Sequence, residues 1–183
     1  MSRSFPKFNQ AGFTLLEVVI AFMVLSFGLL GAVALQAKAK QASFDSMQRA
    51  AAVALAGDIM QRIRSNDTPD LIDHYGGTFT SDTQLTTDLT CFSSFCTNLA
   101  IANLDKEQWK QAIRAKENTG SLDDTTVCIS PVRDGDGFDV TVTVTWVGRQ
   151  AIKANNTTTA INCGTKDDYR RLVSISSFVL VRS

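Results

Sequence analysis

Hydrophobic and polar positions divide this chain into stretches of different period. From Val18 to Leu35, eighteen residues run without a charge, broken only by Ser26, Gly28 and Gly31. A run of that length approaches a bilayer crossing at helical rise and exceeds a typical buried helix. Beyond it, Met47, Ala51, Leu55, Ile59 and Ile63 recur every four residues, while Lys40, Arg49, Asp58 and Arg62 are available to face water. That is the stripe of an amphipathic helix. Gln36 to Arg64 contains no proline, has Gly57 as its sole glycine, and is rich in good helix formers. Ser65-Asn66-Asp67-Thr68-Pro69 then supplies a stop. The pattern predicts one helix from about Thr14 to Arg64, roughly 75 Å long at about 1.5 Å per residue. Its first half is apolar all round and its second half is one-sided.

Asp70 to Gly120 is mostly polar, with one helical stretch predicted from Asp105 to Lys116. Asp105 is the expected cap, Gln108 follows three residues on, and Trp109, Ala112 and Ile113 make a small apolar face. Trp109 reads as core rather than as a ligand platform. Thr125–Val132 reads as a strand. Asp139–Val147 alternates, with Val140, Val142, Val144 and Trp146 on one face and Thr141, Thr143 and Thr145 on the other. Val173–Val181 places Ile175, Val179 and Val181 on one side and Phe178 and Leu180 on the other. Three strands joined by turn-rich loops predict an antiparallel sheet over about 125–183, packed on the second half of the long helix in an α+β fold.

Composition adds bounds. A chain of 183 residues, 44% hydrophobic and 20% charged, can bury one proper core. Its formal charge is zero, so no basic excess points to nucleic acid. A secretory signal peptide is the rival reading of the apolar run, with Arg3 and Lys7 before it and small residues at Gly31–Ala34. Glu17 does not fit that reading, because a carboxylate in a membrane span costs roughly 2.5–3.5 kcal/mol on insertion scales. It lies four residues after Phe13, one turn up the same helix face. If the chain began at Phe13, the free amine and the Glu17 carboxylate would meet at a helix N-terminus, where the dipole also favours negative charge. Loss of Met1–Gly12 would remove Arg3 and Lys7. The positive-inside rule does not decide orientation, because Lys38 and Lys40 follow the span.

Gly12-Phe13-Thr14-Leu15-Leu16-Glu17-Val18, after a short polar leader with Lys7 and before an apolar helix, resembles the class III signal of type IV pilins and type II secretion pseudopilins. The resemblance implies a leader at 1–12, a filament-core membrane helix half at 13–35 and an extracytoplasmic head at 36–183 that includes the amphipathic half, 36–64. It implies cleavage between Gly12 and Phe13 by a prepilin peptidase, N-methylation of Phe13, and a role for Glu17 in docking onto a neighbour's N-terminal amine. The implied site is the inner membrane, N-terminus cytoplasmic and head periplasmic, and after assembly a pilus filament or its tip. The implied partners are the peptidase, other minor and major pilins and the inner-membrane assembly platform. Gly28-Leu29-Leu30-Gly31 followed by Leu35-Gln36, and Trp146-Val147-Gly148-Arg149-Gln150, resemble PilV-like pilus-modification minor pilins, low-copy subunits that help prime assembly.

Cys91, Cys96, Cys128 and Cys163 all lie beyond the apolar run, and an even number in an oxidising compartment predicts two disulfides. Of three possible pairings, the expected one is Cys91–Cys96, closing a small loop, with Cys128–Cys163 tying a strand to the loop before the last strand. A zinc site would need tighter ligand pairs. Asp134-Gly135-Asp136-Gly137-Phe138-Asp139 has carboxylates at calcium-loop-like spacing without the downstream glutamate, and a hairpin turn explains it with less. His74 is the single histidine, in a predicted loop, with no nucleophile motif or phosphate loop to accompany it. No enzyme, cofactor or metal is expected. Asn155-Asn156-Thr157-Thr158 holds two overlapping glycosylation sequons. Two further readings stay open: a minor pseudopilin of a type II secretion system, and an uncleaved membrane tether presenting a binding domain.

Overall fold

A computed structural model describes residues 12–84, 91 and 95–181. Of the predicted leader, only Gly12 falls among these; Arg3 and Lys7 lie outside them. The chain divides into two compact units between Phe44 and Asp45. Helix α1 (Leu15–Ser65) begins in the first unit and ends in the second, within a residue of both expected ends. In the first unit every described side chain from Gly12 to Lys40 is exposed. The helix there is long and apolar enough to cross a membrane.

The second unit contains the last turns of α1, α2 (Leu71–Tyr75), β1 (Gly77–Thr80), α3 (Asn98–Asn118), β2 (Thr126–Asp134), β3 (Gly137–Val147), α4 (Asn156–Ala160) and β4 (Arg170–Leu180). The strands form one antiparallel sheet in the order β1-β2-β3-β4. Long helix and antiparallel sheet pack as α+β. Strand β1, a fourth strand, arises from the polar middle; Phe79 alone on it is buried against the core.

The core lies between the sheet's helix-facing side and α1, α2 and α3. Val140, Val142, Val144 and Trp146 of β3 are buried in it, as the alternation predicts. Leu55, Ile59 and Ile63 of α1 meet them, joined by Gln48, Ala52, Ala56 and Met60. Met47, placed on the stripe by sequence, is instead 46% exposed. A four-residue step overshoots a 3.6-residue turn by about 40°, so four steps back from Ile63 reach nearly the opposite side of the helix. The true stripe steps by threes and fours.

Helix α3 starts seven residues before the expected cap. Thr97 caps it, its hydroxyl accepting from Ala100 N–H at 3.2 Å. Asp105 is therefore no cap but a buried side chain in the helix interior. Trp109 is core, stacked near Phe79 and tilted against Tyr75.

The sheet's other side is covered in part by the crossover between β3 and β4. Thr143 and Thr145 are buried there, as is Cys163, which is bonded to Cys128. Gly164 takes φ 68°, and a Cβ on it would stand 2.4 Å from Thr145 Oγ1, so both backbone and space call for glycine. Cross-strand hydroxyl pairs, Thr141 with Ser176 at 2.8 Å and Thr143 with Ser174 at 3.0 Å, knit this face.

Candidate functional site: the N-terminal helix and its carboxylate

The apolar helix opens on a reciprocal cap. Thr14 N–H and Oγ1–H donate to Glu17 Oε2 at 2.9 and 3.0 Å, while Glu17 N–H donates to Thr14 Oγ1 at 3.2 Å. This is a capping box, Thr-x-x-Glu, which satisfies orphan amides at the helix start. The spacing Thr14-Leu15-Leu16-Glu17 carries that signal, which hydrophobic periodicity alone does not pick up. Phe13, Glu17, Ala21 and Leu25 line one shallow open cleft along the helix. Phe13 is 88% exposed, and the Glu17 carboxylate one turn above it is exposed too, with its Oε2 held by Thr14. Water is a poor setting for a helix apolar on every side; lipid or other apolar helices are the environments that suit it.

In the second unit the polar chemistry is structural. Arg62 pairs with Asp58 at 3.1 Å and with Asp105 at 3.0 Å, joining α1 to α3. Tyr75 O–H donates to Asp105 Oδ2 at 2.8 Å and accepts from Asn66 Nδ2–H at 2.8 Å. Trp109 Nε1–H donates to Asp58 at 2.9 Å. Arg62 and Asp58 are therefore engaged rather than simply turned to water. Burial pushes the Tyr75 hydroxyl well above the usual tyrosine range, and the Asp105 carboxylate adds to the rise. Burial works against the Arg62 charge, yet Asp105 and Asp58 together hold it above its ordinary value.

Cys91 is bonded to Cys96, five residues away, and Cys128 to Cys163, thirty-five away. Asp134 pairs with Gly137 across a two-residue hairpin loop, and Gly135 takes φ 55° at its first central position, where such a turn needs glycine. Asp134, Asp136 and Asp139 are exposed around that turn, and among the described residues no acidic, His or Cys group is arranged to hold a metal. His74 lies in α2, not in a loop, and is half-buried with Nδ1 unpartnered. Asn155 caps α4, its Oδ1 accepting from Thr158 N–H at 2.8 Å.

Residues 7–33 match the family model of the prokaryotic N-terminal methylation motif, and residues 34–107 match one described as Type IV pilin Tt1218. No curated protein and no solved structure matches the chain. The two abutting matches support the pilin superfamily, a class of structural rather than enzymatic proteins, and with it a pilin or pseudopilin role. The methylation motif implies prepilin peptidase processing and pilin contacts, and with the apolar helix it fits a membrane-anchored pilin.

Proposed function

We propose that this chain is a minor pilin of a type IV pilus, a low-copy subunit that helps prime assembly. Prepilin peptidase cuts between Gly12 and Phe13 and methylates Phe13. The helix over 13–35 holds the subunit in the inner membrane, N-terminus cytoplasmic and head periplasmic, until the assembly platform moves it into the filament or its tip. There it packs among other minor and major pilins.

The observation that carries this reading is the carboxylate of Glu17 on a helix otherwise apolar and exposed all round, one turn from Phe13. Cleavage supplies the amine that offsets this charge. Between subunits the same attraction sets the axial register of one helix against the next. The Type IV pilin match over 34–107 favours a pilus over a secretion pseudopilus. The likeness of Trp146-Val147-Gly148-Arg149-Gln150 to PilV-like proteins supports the minor class.

Glu17→Ala tests the docking role. The variant is expected to be processed and to accumulate in the inner membrane while its recovery in sheared pili falls at least about tenfold, since a lost buried charge pair is worth several kcal/mol. Wild-type recovery of the variant in filaments refutes the role.

A further inference from the structure

Charge is distributed unevenly over the second unit. The segment 148–172, the crossover with the start of β4, carries five basic residues against two acidic ones, a net +3, whereas the rest of 45–183 carries nine basic against fifteen acidic, a net −6. The positive charge gathers around an open groove of about 570 Å³. Lys153, Lys166, Arg170 and Arg171 line it, with Ile152 and Leu172 giving apolar surface. None of these four cations forms an ion pair among the described residues. Arg171 spends its guanidinium on backbone carbonyls, Gln150 O among them, and Arg170 donates to Ile161 O at 2.8 Å, so both are fixed in place, with Asp167 partly offsetting the Arg170 charge. Asp167 and Asp168 also line the groove; Asp167 Oδ1 is occupied by the amides of Tyr169 and Arg170 at 2.9 Å.

The opposite end of the sheet has the complementary character. The β2–β3 hairpin presents Asp134, Asp136 and Asp139, all exposed and none in an ion pair among the described residues. Beside them on the same side of the sheet stand Val132, Phe178 and Leu180, exposed by 63%, 46% and 59%. The nearby cation Arg133 lies over the Phe138 ring at 4.8 Å on the other side of the sheet and donates to Pro69 O. Register fixes the separation: Gly137 pairs with Leu180 at the hairpin end, and Val147 with Arg170 at the groove end. The length of β3 holds the two patches about 33 Å apart, at about 3.3 Å per residue, so one molecule cannot join them.

We propose that the groove receives the acidic hairpin tip of a second copy of this chain, head to tail. An apolar centre with a charged rim of opposite signs is the anatomy of a specific contact, and the rim charges set orientation and association rate. Different patches on the two partners make the contact heterologous, the type that builds open arrays. Two copies are enough to form it. The filament-subunit reading gives the contact its setting, but the association is measured without processing or incorporation, so either idea can fail alone.

The test uses the full chain in detergent micelles, followed by sedimentation velocity in low and high salt. Two variants are compared with the parent: Lys153→Glu with Lys166→Glu, and Asp134→Lys with Asp136→Lys. Parent chain associates in low salt and separates in high salt. Each variant alone is at least about tenfold weaker, because like charges then face each other. Mixing the two variants restores association, since each variant's tip then meets a groove of opposite charge on the other. Unchanged buried-tryptophan emission shows that both variants are folded. Absence of salt-sensitive association in the parent, persistence in both variants, or no rescue on mixing overturns the proposal. A monomeric parent that binds a single-stranded oligonucleotide through Lys153 and Lys166 also overturns it and gives the groove to nucleic acid.

Discussion

Replacing Asp105 with alanine should unfold the head more readily than any other single polar deletion in it. The carboxylate is buried between α1, α2 and α3, accepting from Tyr75 O–H at 2.8 Å and from Arg62 at 3.0 Å. Hydrogen bonds to a charged group are worth about 1.5–3 kcal/mol each, and a donor left unpaired in the interior costs about 1–3 kcal/mol. The Arg62 side chain is 36% exposed, so water recovers much of that half of the loss. Tyr75 is 1% exposed, and its hydroxyl hydrogen has no second acceptor. The expected cost is about 3–4 kcal/mol. Tyr75→Phe should cost less, about 1–2 kcal/mol, because Asp105 keeps Arg62 and Asn66 keeps the Asn98 carbonyl at 2.8 Å. A double-mutant cycle should then return a coupling of about 1–2 kcal/mol. Both tryptophans, Trp109 and Trp146, are buried in the head core, so their emission during urea unfolding of the detergent-solubilised chain reports this transition. A loss below about 1 kcal/mol for Asp105→Ala, or a coupling near zero, refutes the reasoning.

The same tyrosine gives the head an alkaline limit. Its folded pKa lies above the unfolded value near 10, so below about pH 10 both states keep the proton and nothing is lost. Above it only the unfolded chain ionises, and stability falls by up to about 1.4 kcal/mol per pH unit from this group. Comparing parent and Tyr75→Phe in urea between neutral pH and about pH 11 isolates the component; parallel curves contradict it. For the disulfides, chain entropy assigns about 4 kcal/mol to Cys128–Cys163 with its separation of thirty-five, against about 2 kcal/mol for Cys91–Cys96 with five. Paired serine substitutions read by the same unfolding assay should keep that order, and equal losses count against it.

Periodic elements are legible in the residues. Val140 to Trp146 announces a strand by alternation, and Leu55, Ile59 and Ile63 announce a packed helix face, because burial imposes its period on every turn. Local chemistry is legible in part: Gly135 marks its turn, but Thr97 as the cap of α3 and Thr14 with Glu17 as a capping box escape a reading by periodicity, though both obey known spacings. Strand β1 escapes because four residues with one buried phenylalanine carry no period. Asp105 misleads for a deeper reason. A capping aspartate and a buried one look alike until Arg62 and Tyr75, forty-three and thirty residues away, are brought beside it. Burial of Thr143 and Thr145 likewise depends on a crossover that folds back over them. At the N-terminus, Gly12, Phe13 and Glu17 are read through their resemblance to the class III signal, and the methylation-motif match over residues 7–33 supports that class.

In the proposed function the carboxylate at Glu17 is matched by an amine created at Phe13. Intact mass of the protein extracted from membranes of cells with active prepilin peptidase tests it most directly. The expected result, after reduction of the disulfides, is one species that starts at Phe13 and carries one added methyl group. A species that still carries Met1–Gly12, or one cut after the apolar run near Ala34, contradicts it.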